Sequence, residues 1–367
     1  ALFNNTTGAF NVAVGYQSTY NNTTGSNNTS LGAQSNGGGG AGTSSFSNST
    51  AIGTYALWKN TASNNTAVGA SALYNNSTGT PNDAFGYQSL YSNTTGTNNV
   101  GIGYQSLYSN TIGVGNVGVG YQALFTNSTG VSNTAVGYQA LGTVSTGSGN
   151  TAMGTSALLN NTANYNTAVG GGALRANTSG TPNDAFGYAA LYSNTTGANN
   201  VAVGYQALTA NTVGISNVGV GYQALNSNTT ANNNTAVGYQ AGRFITTGTD
   251  NTLVGYNAGY GSINLTTGTF NTCIGDSAST STAGATSQIV IGANATGQGD
   301  NYVTIGKASP NYIYNQYTVN ATWTKASDER LKTNIQDLTI GLDFIKELKV
   351  KSYNCCLLYT SDAADDT

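Results

Sequence analysis

A short repeat with a glycine at its centre runs through residues 1–306 and restricts the fold more than any other feature of the chain. The glycine recurs eighteen times, mostly sixteen or seventeen positions apart. The residue before this glycine is apolar in every copy, the third residue after it is Ala or Ser in every copy, and the fourth residue before it is Asn in fifteen copies. The glycines are Gly15, Gly32, Gly53, Gly69, Gly86, Gly103, Gly120, Gly137, Gly154, Gly170, Gly187, Gly204, Gly221, Gly238, Gly255, Gly275, Gly292 and Gly306.

A unit of this length is too short for a helix pair or a propeller blade, and it carries no helical period. Val, Tyr and Thr favour strands, whereas Asn, Gly and Ser clusters mark turns. The repeat therefore predicts an all-β fold, a parallel β-roll or β-solenoid with one turn for each of the eighteen glycines. With strands about 4.8 Å apart, the rod would be on the order of 85 Å long. An Asn column could then hydrogen-bond to itself, and a Gly column would let backbones approach closely.

So thin a coil has a packing problem. If the strand continued unbroken through the glycine, the Val, Tyr and Ala columns would share one face, and the small residues and Leu would share the other. Both faces are apolar or small, so both need cover. We expect one face to fill the coil and the other to pack against sister chains, which predicts a homotrimer.

Composition excludes several functional classes. The chain has no His, three Cys and a formal net charge of −3. It therefore lacks His-based catalysis and His metal ligands, and we expect no metal, no cofactor and no nucleic-acid partner. The G-x-G-x-x-G match at Gly113–Gly118 lies in no βαβ unit, so no nucleotide site is expected. No run of 18 apolar residues occurs, so we expect no membrane insertion.

Charged residues are concentrated at the end of the chain. Residues 1–306 hold eight of them, whereas the much shorter segment 307–367 holds fifteen. No Glu precedes Glu329, so the paired carboxylates of a glycosidase are not expected in the repeat region. The change in composition predicts a repeat domain over 1–306, followed by a linker over 307–326.

Tyrosines and irregular loops are the candidate binding features of the repeat region. Tyr follows the central glycine in ten units. This column predicts either a structural aromatic ladder, the favoured interpretation, or a platform on which glycans stack. The insertion Gly37–Gly40 should loop outward, and the turn from Gly255 to Gly275 is longer than the usual unit. We expect these loops to contact a host glycan or surface protein.

The repeat unit itself resembles a known family. Asn133-Thr134-Ala135-Val136-Gly137-Tyr138 is similar to the head repeats of trimeric autotransporter adhesins. This resemblance covers the repeat region. It implies a left-handed parallel β-roll that is stable only as a trimer.

A second resemblance begins where the charges concentrate. Residues 326–335, read as A-S-D-E-R-L-K-T-N-I, resemble the opening of the C-terminal intramolecular chaperone of endosialidase-type phage tailspikes and tail fibres. The resemblance implies that residues 327–354 are the N-terminal fragment of that chaperone and start with an amphipathic helix. It also implies self-cleavage between Ala326 and Ser327, with Ser327 as nucleophile and Lys332 as its base. Because most of the chaperone is missing, we expect this chain to stay uncut.

The two ends of the chain carry separate expectations. Residues 355–367 resemble translated sequencing-adapter readthrough, so the pair Cys355 and Cys356 needs no redox role. Cys273 is then the one native cysteine, expected to be a small buried residue of the coil. The chain starts in mid-pattern at Ala1, which predicts a fragment.

Two functions remain open after these observations. The first is a trimeric receptor-binding fibre of a phage tail, located in the virion, with an autoprocessing chaperone that assists trimer folding. The alternative is a trimeric adhesin on the bacterial cell surface. The chaperone motif favours the fibre, because autotransporters end in a membrane anchor instead. Enzymatic activity, if any, would be limited to serine-dependent self-cleavage.

Overall fold

The described part of the chain consists of short β-strands joined by turns and loops. The computed structural model describes residues 1–37, 39, 44–143, 146–317 and the backbone of 324–325. Twenty strands and no helix occur in these residues, so the all-β prediction is confirmed. The strands are β1 (Val12–Val14), β2 (Thr29–Leu31), β3 (Thr50–Ile52), β4 (Asn65–Val68), β5 (Asn82–Phe85), β6 (Asn99–Ile102), β7 (Val117–Val119), β8 (Thr134–Val136), β9 (Thr151–Met153), β10 (Thr167–Val169), β11 (Asn183–Phe186), β12 (Asn200–Val203), β13 (Val218–Val220), β14 (Thr235–Val237), β15 (Thr252–Val254), β16 (Thr272–Ile274), β17 (Ile289–Ile291), β18 (Tyr302–Gly306), β19 (Tyr312–Gln316) and β20 (Thr324–Lys325).

Each repeat unit contributes one strand to a parallel solenoid. Strands β1 to β18 pair in sequence order, each in parallel with the next, and the register joins equivalent positions of the repeat. In β8 and β9, for example, Val136 lies opposite Met153. The predicted parallel solenoid, with one turn per repeat unit, is therefore confirmed. The last parallel strand, β18, pairs antiparallel with β19, which pairs antiparallel with β20; both lie in segment 307–326, the predicted linker.

The strands are short because the central glycine turns the chain. Gly137 has a φ of 134°, which L-residues rarely adopt, and an added Cβ would lie 2.7 Å from the carbonyl oxygen of Gly154 in the next turn. Beyond it, Gln139 and Leu141 adopt left-handed conformations with φ of 51° and 50°. The turns stay bonded to each other here, since Leu141 N donates to Ala157 O at 3.0 Å. The glycine column therefore permits the close stacking expected from the sequence.

This turn corrects one expectation about the faces. The Ala three residues after the glycine was expected to share a face with Val and Tyr, on the assumption of an unbroken strand. Instead the strand ends at the glycine, and the alternating left-handed residues turn both Ala140 and Leu141 inward, where neither is exposed. Together with Ala135 of β8 they belong to a thin core repeated along the coil.

Two buried asparagine ladders follow the core along the solenoid. In the first, Asn133 accepts hydrogen bonds from both the backbone and the side-chain amide of Asn150, and the pattern repeats from turn to turn. The second ladder is formed by the Asn residues seven positions after a central glycine. In this ladder, for example, Asn93 Nδ2 donates a hydrogen bond to Asn76 Oδ1 at 2.8 Å. Its sequence pattern is interrupted by Val144 and Ile245, and the Oδ1 atoms of the rungs before them, on Asn127 and Asn228, are buried with no partner among the described residues. The self-bonded Asn column predicted from the sequence is confirmed.

Several expectations concern residues outside those that the structure describes. The amphipathic helix expected after Ser327 lies outside the described residues, as do Gly38 and Gly40 of the Gly37–Gly40 loop. In the portion the structure covers, no helix has the length and apolar character needed to cross a bilayer.

Candidate functional site

The residues predicted to perform self-cleavage, Ala326, Ser327 and Lys332, all lie outside the described residues. Their roles therefore stay predictions. The candidate functional features that the structure does describe lie on the surface of the solenoid. They form columns of equivalent residues, one residue from each turn.

An apolar column runs along the outer face of the parallel sheet. It consists of the residue before each central glycine, which points away from the core because strand residues alternate between faces. Val14, Ile102 and Val254 in this column are 55%, 41% and 37% exposed. Parallel sheets are normally covered on both faces, because their strands are apolar on both sides. The outer face thus has the character of an interface surface.

The outward tyrosine column forms two stacked ladders. Neighbouring ring centroids lie 5.0–5.4 Å apart, and the ring planes are 6–19° from parallel. The first ladder contains Tyr87, Tyr104, Tyr121 and Tyr138, and the second contains Tyr188, Tyr205, Tyr222, Tyr239 and Tyr256.

Stacking decides which part of each ring is available to a ligand. Inside a ladder the neighbouring rings cover both faces, so Tyr121, at 43% exposure, offers its edge and hydroxyl to solvent. A sugar ring stacks on an aromatic face, where the ring quadrupole is negative. Tyr138 is the last ring of the first ladder, and Tyr188 is the first ring of the second ladder. Their side chains are 51% and 58% exposed, and each has one ring face that no other ring of the described residues covers. The structural ladder favoured from the sequence is confirmed.

A second aromatic column, which sequence analysis missed, lies five residues after the glycine. Tyr74, Tyr91, Tyr108 and Phe125 stack with centroids 5.1–5.3 Å apart. Burial is the main factor that raises the pKa of the Tyr74 hydroxyl, and the nearby Tyr91 and Tyr55 hydroxyls raise this pKa further. An alignment of the units on their glycine would have revealed this column, because its members share one position of the repeat.

A column of glutamines lies beside these rings, two residues after the glycine. Each side-chain nitrogen donates to the side-chain oxygen of the previous turn at 2.8–3.1 Å. The bonded glutamines form three separate runs: Gln17 and Gln34; Gln88, Gln105, Gln122 and Gln139; and Gln206, Gln223 and Gln240. These half-buried amides form a polar wall along the aromatic column.

The basic residues of the solenoid are also placed by aromatic rings. Lys59, Arg175 and Arg243 each lie over a ring, 5.3–5.7 Å from its centroid. Arg175 Nη1 also donates to the hydroxyl of Tyr192 at 2.8 Å. These contacts give the cations a local structural role.

The long turn after Gly255 forms a polar cavity of about 420 Å³. Asn257, Tyr260, Ser277 and Asn294 are among its lining residues. The Asn257 Oδ1 atom is buried, and no group in the described residues donates to it. Of the two predicted receptor loops, this is the one that the structure describes in full.

Titratable and metal-binding chemistry is sparse on this scaffold. Cys273 is fully buried, as expected, and burial raises the pKa of its thiol to about 12. Among the residues that the structure describes, no three His, Cys, Asp or Glu side chains come together in a way that could hold a metal ion.

Comparison with known proteins concerns the end of the chain. Residues 327–355 match the family model described as the chaperone of endosialidase. The match begins at Ser327, the first residue of the S-D motif, and extends to Cys355. No curated protein matches the chain. The segment from Ser327 to Cys355 is thus similar to the chaperone of endosialidase, and it follows a parallel β-solenoid.

Proposed function

We propose that the chain is part of a homotrimeric receptor-binding fibre of a phage tail, located in the virion, whose C-terminal chaperone assists trimer folding. The solenoid is the shaft or head of the fibre, and its outer surface contacts a glycan or protein on the host cell. The alternative is a trimeric adhesin on the bacterial surface, as the similarity to autotransporter head repeats implies.

The observation that carries this proposal is the exposed apolar column on the outer sheet face. It has one Val, Ile, Leu, Phe or Met in every turn, from Val14 in β1 to Ile305 in β18. An apolar stripe of this length exceeds what monomeric soluble proteins usually expose. Three chains in parallel register around a common axis would cover it, since equivalent residues then meet equivalent residues.

The similarity at Ser327–Cys355 supports the fibre over the adhesin. A chaperone encoded at the end of the same chain suits an assembly whose strands must be brought into register before they pair. Parallel β-structures with mainly long-range contacts form slowly and expose sticky edges during folding. A C-terminal trimerisation aid would shorten that exposure.

Self-cleavage is the enzymatic part of the proposal. Ser327 Oγ would attack the carbonyl carbon of Ala326 while Lys332 accepts the hydroxyl proton. The C–N bond between Ala326 and Ser327 would then break as that proton passes to the Ser327 amine, which leaves Ala326 joined to Ser327 Oγ as an ester. Water would hydrolyse this ester and release the Ala326 carboxylate. An exposed Lys holds its proton at neutral pH, because its pKa is about 10.4. Lys332 can act as a base only when a folded chaperone buries it.

Immunogold electron microscopy separates the two candidate functions. Antibodies against residues 1–306 should label the tails of phage particles. Labelling of the surface of uninfected bacteria, with bare phage particles in the same preparation, would contradict the fibre and support the adhesin. Tail and lysis genes beside the coding sequence would agree with the first outcome.

A further inference from the structure

The second aromatic column is interrupted at one turn in the middle of the solenoid. Phe125 stacks on Tyr108 below it, with centroids 5.3 Å apart. The equivalent position in the next turn is Gly142, which has no side chain, and the turn after that has Leu159. Two strand spacings of about 4.8 Å separate the backbone at Phe125 from the backbone at Leu159, and Gly142 leaves the position between them without a side chain.

The glutamine column ends beside the same gap. Gln139 Nε2 donates to Gln122 Oε1 at 3.1 Å. The next turn has Ser156 in place of Gln, which is too short to continue the chain of amides. The Gln139 Oε1 atom therefore receives no amide from the next turn and is left as an acceptor. The first outward tyrosine ladder also ends here, at Tyr138.

A cavity of about 310 Å³ occupies this position. Its lining includes the ring of Phe125, Leu159, and the side chains of Gln122, Gln139 and Thr143. Gly142 also lines the cavity. None of the described residues that line the cavity is charged. One aromatic face, an aliphatic side chain opposite it and amide and hydroxyl groups at the side are thus brought together.

We propose that this gap, the Gly142 slot, binds one pyranose ring of a neutral glycan. The C–H bonds on one face of a pyranose carry partial positive charge and are attracted to the negative face of Phe125. Leu159 covers the other face of the sugar, and its hydroxyls hydrogen-bond to Gln139 Oε1 and to Thr143. The neutral lining selects against acidic sugars, whose carboxylate would lose its hydration without gaining a partner. The slot gives the proposed receptor-binding fibre a site and a ligand class, and so rests on that function.

Filling the slot with the side chain that the column lacks is the sharpest test. Gly142 has an ordinary backbone conformation, and an added Cβ would come nearest to the flexible end of Leu159, at 3.0 Å, and to the carbonyl oxygen of Gln139, at 3.1 Å. Gly142→Tyr should therefore complete the ladder on Phe125 and close the slot. The matched control is Thr209→Tyr, which adds the same ring in the same column next to Tyr192, away from the cavity.

The probes are methyl β-glucoside, methyl β-galactoside and methyl N-acetyl-β-glucosaminide, with sialic acid as the acidic comparison. Saturation-transfer NMR on the full chain should show contact with the ring C–H protons of at least one neutral glycoside. Gly142→Tyr should weaken this binding at least tenfold, and Thr209→Tyr should leave it unchanged. Phe125→Ala provides an independent variant and should also weaken it.

Several outcomes would overturn the slot. The proposal is wrong if none of the three neutral glycosides binds, or if sialic acid binds more tightly than they do. It is also wrong if Gly142→Tyr binds the glycoside unchanged while thermal melting shows that the variant is folded. Host adsorption separates the slot from the fibre function. If a trimer carrying Gly142→Tyr adsorbs to cells as well as the unchanged trimer, the result contradicts the Gly142 slot as the receptor site and leaves the fibre function standing. A chain that binds the glycoside but never adsorbs contradicts the fibre alone.

Discussion

Asn150 donates both its backbone amide and its side-chain amide to the Oδ1 atom of Asn133, at 3.0 and 3.1 Å. Asn133 in turn donates its Nδ2 to Gly147 O at 2.7 Å and to Asn116 Oδ1 at 3.2 Å. One buried side chain thus bonds the turn before it, its own turn and the turn after it. This explains why the repeat keeps Asn at a position that faces the inside of a narrow apolar coil.

Asn133→Ala should lower the free energy of unfolding by about 2–4 kcal/mol. The substitution leaves the backbone N–H of Asn150 and the carbonyl of Gly147 buried without this partner, and each such group costs about 1–3 kcal/mol. The control is Asn160→Ala, at an exposed side chain, where a change within about 0.5 kcal/mol is expected. Chemical denaturation followed by circular dichroism measures both, and equal stability of the two variants would contradict the ladder.

Gly137→Ala should destabilise the solenoid by at least about 2 kcal/mol, because it strains the backbone and pushes a methyl group against Gly154 of the next turn. Gly171→Ala is the matched control. Its φ lies outside the left-handed region, and its Cβ would meet only the Tyr188 ring at an ordinary 3.4 Å. A thermal melt distinguishes them; a Gly137→Ala variant as stable as Gly171→Ala would show that the glycines are dispensable.

Cys273 should resist thiol reagents until the solenoid unfolds. Burial raises its pKa from 9.0 to about 12, so the folded protein holds almost no thiolate at pH 8. The raised pKa also means that Cys273 favours the folded state below pH 9 and that this contribution declines as pH rises from about 9 to about 12. Labelling is measured in a chain with Cys355→Ser and Cys356→Ser, with Cys273→Ala as the blank. Rapid labelling under native conditions would contradict the burial.

Self-cleavage should depend on a complete chaperone domain. We expect the 367-residue chain to stay intact, and a chain extended with the rest of the chaperone to break between Ala326 and Ser327. Ser327→Ala and Lys332→Met should each abolish the break, since one removes the nucleophile and the other its base. Intact-mass spectrometry of the 367-residue chain, the extended chain and the two extended variants shows which of them are cleaved. Cleavage at Ala326 in the extended Ser327→Ala chain would remove Ser327 from the mechanism.

The regular part of this fold follows directly from the repeat. Periodic glycines, apolar residues and asparagines predict one parallel strand for each turn, and the bonds between Asn133 and Asn150 follow from their identical positions in adjacent turns. These features are predictable because every turn has the same neighbours. The register of one pair therefore sets the register of all.

The path of the chain after the glycine was not predictable from alternation. Ala140 faces inward because Gln139 and Leu141 adopt left-handed conformations, which are stabilised by bonds to neighbouring turns. Sequence alternation contains no information about such bonds. The Gly142 slot was missed for a related reason: a single absent side chain matters only when the residues above and below it are known to stack.

The mass of the folded assembly tests the central claim most directly, namely that the exposed apolar column is the interface of a homotrimer. Light scattering coupled to size exclusion should give three times the chain mass for a chain carrying a complete chaperone. Ile102→Glu, which places a charge in the column, should weaken or prevent assembly, whereas Asn160→Glu on an exposed turn should not. A stable, cooperatively folded monomer with the apolar column exposed would contradict the account.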